Sequence, residues 1–311
     1  MGIGVAIGPR ALDTSDNAID AAVALGREAA AAGLDSLWFG QTFSHDSIAV
    51  AAHVGREVPG LEVGPSVVPI SARHPLLVAS HAQTAQAAAR GRFTLGVGLG
   101  APAFAEPVYG VSFDRPITRL REFLTVLGQV FEDGDADFHG ATVTAAPPLT
   151  ARVAGADRVP VLVAAMGPQA LRVTGELADG TLPFLVGPGA LGDHIVEPIT
   201  AAAAQAGRPR PRIAVLVPAV VTADIEGARE AAAAQTAFYD GIPSYRRVVE
   251  LSGADRAADL VVIGDEAVLA ARVAEYFDAG ATDVILTQTD LTTAADRERT
   301  WAAFGALDHP R

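Results

Sequence analysis

The chain has 311 residues, 50% apolar and 19% charged, which is enough for a large core in one α/β unit. Cysteine and lysine are both absent, all 23 basic residues being arginine, which excludes disulfides, thiolate catalysis, Cys-ligated metals, Schiff-base chemistry and a P-loop lysine. The formal net charge of −13 disfavours nucleic acid or an anionic membrane as partner, while leaving a local Arg cluster free to bind a small anion.

From the start of the chain, IGVAI (3–7) is the first of eight short β-branched runs. MGIGVAIGPR carries no basic flank and only a short apolar run, so it reads as a strand and not as a signal peptide. The Ala-rich segment SDNAIDAAVALGREAAAAG (15–33) follows, with an Asp/Ser cap region and a stop at Gly33. Then come SLWF (36–39), LEVGPSVV (61–68) and the helix PLLVASHAQTAQAAARG (75–91), with proline in its first turn. FTLGVG (93–98), VPVLVA (159–164), TLPFLV (181–186), RIAVLV (212–217) and TDVILT (282–287) complete the strands. DEAVLAARVAEYFDAG (265–280) repeats the helix design, acidic first and Gly280 last. No apolar run reaches the roughly 18–20 residues needed to cross a bilayer, and a cytoplasmic protein is expected.

Strand then helix, eight times, predicts parallel pairing with right-handed crossovers and a (β/α)₈ TIM barrel over residues 1–311; an open doubly wound sheet is the alternative. Residues 99–158 and 224–263 exceed a plain unit and read as insertion segments after strands 4 and 7. The first holds a Pro/Gly-rich loop, the helix PITRLREFLTVLGQVFEDG and a polar FHGATVTA hairpin. Barrel chemistry belongs at the C-terminal strand ends: Gly8 to Arg10, Phe39 to Asp46, Ser66 to His74, Gly96 to Glu106, Ala164 to Pro168, and the loop after Val186.

Several of these ends carry candidate chemistry. GVGLGA (96–101) satisfies the dinucleotide fingerprint, but Pro102, Phe104 and Pro107 argue against the helix that should follow. It reads better as a glycine-rich strand end that admits a flat ring or a phosphate, or as a plain tight turn. Gly167 and Pro168 open a helix whose N-terminal amides suit phosphate, or are ordinary capping. FGQTFSHDSI (39–48) offers His45 as acid or base, or as a solvated residue beside a Ser44 or Asp46 cap. The seven histidines, His309 included, show no metal-ligand spacing, and no G-x-S-x-G elbow occurs.

GPSVVPISARHP (64–75) is the least ordinary stretch, a strand end with prolines at 65, 69 and 75. Together with AAAAGLDSLWFGQTFSHDSI, AARGRFTLGVGLG, YGVSFDRPITRLREFL and GPQALRVTGELADGT, in that order, it resembles the luciferase-like monooxygenase superfamily. The likeness is nearest to the actinobacterial branch that uses the deazaflavin coenzyme F420. The resemblance implies a (β/α)₈ barrel, a homodimer, and a ring in the barrel mouth. It places a bulge with a non-proline cis peptide at Ser66–Val67, against the back of the ring. Gln41 falls at the ring's polar edge, Gly98 and Gly100 line the fourth strand end, and Ala165, Met166, Gly167 and Pro168 match the phosphate-region loop. Arg73 or Arg90 is a candidate for anionic parts of the coenzyme. Relatives often carry His where this chain has Ala101, which leaves Glu106 as the nearby acidic group.

The implied function is F420-dependent hydride transfer between the deazaflavin C5 and a small, apolar organic substrate. Glu106, His45 and Gln41 are the catalytic candidates, with Tyr109 behind them as a proton donor. The alternatives are an FMN-dependent monooxygenase using oxygen and a separate reductase, and a non-catalytic flavin-binding protein. Phe104, Tyr109, Phe184, Phe238, Tyr239 and Tyr245 suggest an aromatic-lined pocket.

Overall fold

The computed structural model describes residues 2–8 and 10–307, so His309 and Pro9 lie outside the described residues. Eight parallel strands form the barrel wall: β1 (Gly2–Ile7), β2 (Ser36–Phe39), β3 (two pieces, Glu62–Pro65 and Val68–Pro69), β4 (Leu95–Gly98), β5 (Val161–Val163), β6 (Gly180–Thr181), β7 (Arg212–Val221) and β8 (Asp283–Thr287). Hydrogen bonding runs β3-β2-β1-β8-β7-β6-β5-β4, and the second piece of β3 closes the ring on β4 through Val68 opposite Val97 and Pro69 opposite Gly98. The (β/α)₈ barrel expected from the alternation is therefore the fold.

Helices cover the outside, and their first turns are chemically marked. Those starting at Pro75, Pro102, Pro116, Pro168, Pro188 and Pro243 place proline where no intrahelical N–H is needed. Others are capped by side chains: Asn17 on Ala18–Ala31, Asp46 on Ser47–Glu57, Asp265 on Glu266–Asp278. The first of these caps is Asn17, two residues into the stretch that the Asp/Ser reading marked.

The barrel interior is filled from opposite strands by Ala6, Trp38, Leu162, Leu182, Leu216 and Ile285, all buried. Below this layer, Arg212 bridges Glu62 and Asp283 and ties three strands at the bottom of the barrel. Its guanidinium donates to Glu62 at 2.6 and 3.0 Å and to Asp283 at 2.7 and 2.9 Å.

Four local expectations change. The run 61–68 is broken, because Ser66 and Val67 leave the ladder between the two pieces of β3. TLPFLV contributes only Gly180–Thr181 and a lone bridge from Phe184 to Leu216, since Pro183 has no N–H for a ladder. RIAVLV extends to Val221, and its last three residues pair with the strand Val262–Gly264 outside the barrel. The prolines after GVGLGA do not prevent a helix: Pro102–Tyr109 is helical, with Pro102 in the first turn and Pro107 inside. The polar FHGATVTA piece is the expected hairpin, Phe138–His139 against Thr144–Ala145. Among the described residues no helix is long and apolar enough to cross a membrane.

Candidate active site

The mouth is built from the C-terminal ends of the strands. A central cavity of about 160 Å³ sits directly over the interior layer. The β3 bulge forms one wall with Ser66 and Val67, and the peptide bond between them is cis. Gly8, Gly40 and Ala164 line the same cavity and leave a surface free of long side chains. Met166 and Gln288 complete the lining with side chains.

Val67 is seated by what β4 lacks. A Cβ added to Gly98 would lie 2.8 Å from Val67 Cγ2, closer than such contacts occur. Gly98 thus makes room for the bulge that lines the cavity. Gly100 takes a left-handed conformation, φ 81°, and turns the chain beside Ser71.

The loop after β2 is organised by Gln41. Its amide donates to the carbonyls of Thr42 (2.6 Å) and His45 (2.8 Å). Its oxygen accepts from the Ser47 amide, the Ser47 hydroxyl and Arg73, at 3.0, 2.8 and 3.2 Å. That uses its hydrogen-bonding capacity within the loop. Gln41 lines a neighbouring cavity of about 170 Å³ with Gly100, Ala101 and Tyr109, but holds a loop in place there.

Arg73 also pairs with Asp46 at 2.8 Å, and Asp46 caps the next helix through the amides of Ile48 and Ala49. Burial opposes ionisation of Asp46, but the Ala49 amide and Arg73 outweigh it and hold the carboxyl below its ordinary value. Arg73 is thereby committed to joining the β2 and β3 loops. Arg90 follows the helix Pro75–Ala88 and precedes β4, at the opposite end of the barrel from the mouth.

The acid–base candidates separate. His45 is not solvated: its side chain is 11% exposed, Nδ1 lies 3.1 Å from Ser44 Oγ, and Nε2 is buried without a partner among the described residues. Its expected alternative, an Asp46 cap, is also present. Glu106 is exposed on the helix Pro102–Tyr109 and lines none of the mouth cavities. The prolines around it fold into a helix whose buried position is Ala105, and this turns Glu106 outward. Ala165 is buried, and Gly167 and Pro168 start the helix Pro168–Leu177 one residue beyond Met166.

Sequence reasoning did not single out Gln288. It follows β8, has φ 48°, lines the central cavity, and its Oε1 is buried with no partner among the described residues. A non-glycine residue in this conformation is uncommon. The neighbouring sequence TQTD carries no pattern that marks it.

Aromatic rings roof the mouth. Tyr109, Phe43, Phe104, Phe238 and Tyr239 follow one another at centroid distances of 6.0, 6.2, 5.7 and 5.7 Å. Phe43 is 67% exposed and Phe238 51%, so the outer part of this arc faces solvent. Phe184 and Tyr245 continue it into the central cavity.

An eight-stranded parallel barrel with its free polar groups and cavities gathered at the C-terminal strand ends defines a TIM-barrel enzyme. Residues 1–288 match the family described as luciferase-like monooxygenase, and the chain belongs to that family; it is an oxidoreductase. An uncharacterised protein of Mycobacterium tuberculosis is 29% identical over 250 residues, 76% of this chain and 72% of that one. Another protein of the same organism, named provisionally as a coenzyme F420-dependent oxidoreductase, is 27% identical over 175 residues, 50% of this chain and 49% of its own. Among solved structures, an F420-dependent secondary alcohol dehydrogenase in complex with an F420-acetone adduct superposes with a TM-score of 0.80 at 18% identity, covering 99% of both chains. The oxygenating constituent of the 3,6-diketocamphane monooxygenase of Pseudomonas putida, in complex with FMN, gives 0.78 at 16%, over 98% of this chain and 97% of that one. At these identities the two structures bear on the fold.

Proposed function

We propose that the chain is an F420-dependent oxidoreductase that moves a hydride between the deazaflavin C5 and a small, apolar organic substrate. The observation that carries this reading is the seat at the β3 bulge. Ser66 and Val67 form a wall of the central cavity, Gly98 leaves the space that Val67 needs, and small residues at the ends of β1, β2 and β5 keep the rest of the lining low. Such a slot suits a flat tricyclic ring. Gln288 Oε1, without a partner among the described residues, fits a ring with a polar edge, because it offers an acceptor to an N–H group. Ser66, Val67, Met166 and Gln288 would hold the ring, and the amides at the start of Pro168–Leu177 would face a phosphate beyond Met166.

When bound, the deazaflavin supplies the hydride chemistry. The chain's own contribution is to cover one ring face with the bulge and to exclude water under the aromatic roof. The F420 assignment is supported by the F420-named relative; the FMN-bound neighbour supports the alternative, a monooxygenase on the same barrel. Titration of the purified protein with F420 and, separately, FMN, followed by fluorescence quenching, decides between them. F420 binding is the expected result. Tight FMN binding without F420 affinity overturns it in favour of the monooxygenase. The homodimer and the cytoplasmic location belong to the same proposal; light scattering of the purified protein tests the first.

A further inference from the structure

The central cavity holds the only sulfur among the described residues. The sequence has no cysteine and two methionines, Met1 and Met166, and Met1 lies outside the described residues. Met166 lines the cavity and is half-buried, with part of its side chain packed against the main core. Its backbone is held on both sides. Ala165, just before it, is 1% exposed, and its carbonyl accepts from the Thr181 hydroxyl on β6 at 3.2 Å. Gly167, just after it, caps the helix Pro168–Leu177, and its carbonyl accepts from the Leu171 amide at 2.9 Å. The thioether is thereby kept at the cavity lining.

In a chain without thiols, a thioether is the side chain most open to two-electron oxidation. The two tryptophans, next in susceptibility, are out of reach: Trp38 is 0% exposed and Trp301 2%. Met166 is instead reached through the cavity at the barrel mouth. A thioether is apolar and adaptable, whereas its sulfoxide is polar and carries one more oxygen. Turned into the cavity, that oxygen takes space a flat ring needs. Turned away, it meets the apolar core, where an acceptor without a donor is unfavourable.

We propose that Met166 is a peroxide-sensitive modification site: hydrogen peroxide converts its thioether to the sulfoxide when the cavity is empty, and the sulfoxide keeps the coenzyme out. The second half rests on the ring seat proposed above; the first does not. A sulfur lone pair attacks one peroxide oxygen, and an S–O bond forms as the O–O bond breaks. Sulfur loses two electrons and the peroxide gains them. The displaced hydroxide takes the proton left on the transferred oxygen and departs as water. A methionine sulfoxide reductase with a thiol donor reverses the change. Two thiols become a disulfide, and the oxygen leaves as water. A bound ring covers the sulfur, so coenzyme and peroxide compete for one site.

The test treats the full, coenzyme-free chain with hydrogen peroxide beside N-acetylmethionine amide as rate reference. Peptide mass spectrometry should show a gain of about 16 Da, one oxygen, at Met166, at a rate comparable to the reference. Excess F420 should slow that gain. F420 affinity, read by fluorescence quenching, should fall roughly tenfold or more after oxidation and return after reductase treatment. M166L has no sulfur there, so its own F420 affinity should be the same with and without peroxide. Reductase rescue makes the same point in the native chain should M166L fail to fold. Met166 left unmodified after the reference is consumed overturns the proposal. So does an affinity that oxidation leaves unchanged, or an equal loss in M166L. Failure of the untreated chain to bind F420 overturns the coenzyme reading and not the oxidation site. The peroxide series is then read on FMN, and FMN affinity unmoved by oxidation overturns the switch.

Discussion

Val67 occupies the space that Gly98 leaves empty across the seam between β3 and β4, where a Cβ on Gly98 would stand 2.8 Å from Val67 Cγ2. Valine is stiff at χ1 and cannot swing clear. The substitution G98A therefore has to push the bulge toward the cavity or part the strands. Overpacking of this kind costs about 1–3 kcal/mol. The expected outcome is a folded barrel by circular dichroism with F420 affinity lowered roughly tenfold or more, the equivalent of about 1.4 kcal/mol. Unchanged affinity would separate the bulge from coenzyme binding.

Arg212 is the only cation on the Glu62–Asp283 pair among the described residues. Its side chain is 28% exposed, against 26% for Glu62 and 12% for Asp283. Desolvation works against its charge, but the two carboxylates outweigh it and raise its pKa. Glu62 also accepts from the hydroxyl of Thr94, the residue before β4, at 2.6 Å, so the cluster ties β3, β7 and β8 to the start of β4. Removing the arginine leaves two partly buried carboxylates facing each other. R212A is expected to lower unfolding free energy by about 3 kcal/mol, read from urea midpoints. A loss under half that size would show that water replaces the guanidinium.

Glu122 fastens the hairpin to the helix Pro116–Asp133. One carboxylate oxygen accepts from the Ala141 amide at 2.7 Å; the other accepts from the Thr142 amide, the Thr142 hydroxyl and the Val143 amide at 2.6–2.9 Å. Burial opposes its ionisation, and these bonds outweigh it, so its pKa lies below the ordinary 4.5. The linked stability is fully present above about 4.5, the unfolded value, and is lost as pH falls through the lowered folded value. E122Q turns an NH₂ toward donors and is expected to cost about 2 kcal/mol at pH 7. The gap between variant and wild type should narrow below pH 4.5 in urea titrations. A gap independent of pH would mean the carboxylate charge is not what holds the hairpin.

Glu106 is the acidic residue nearest the missing histidine in sequence, yet it is exposed and outside the cavities. E106Q is expected to change stability by no more than about 0.5 kcal/mol and to leave F420 affinity and turnover within about twofold. A tenfold fall in turnover would place its carboxylate at the substrate.

The order of strands and helices was legible in the chain because both periodicities are local. Buried parallel strands read as short β-branched runs, and prolines and acidic caps mark where helices begin. Family tokens such as GPSVVPISARHP located the barrel mouth and named Ser66, Val67 and Met166, which do line its central cavity. What side chains do there was decided only when distant segments met. Gln41 reads as a ring-edge residue until Ser47, His45 and Arg73 are seen to take its hydrogen bonds. Glu106 reads as an acid until the helix around it turns it outward. Tyr239 and Tyr245, at the end of one helix and the start of the next, reach the same cavity as Gln288, which follows β8 about 40 residues later. Sequence specifies which residues stand at the mouth, because pattern is local. Whether a polar atom there is free or already bonded depends on partners tens to hundreds of residues away, and only the closed barrel brings those together.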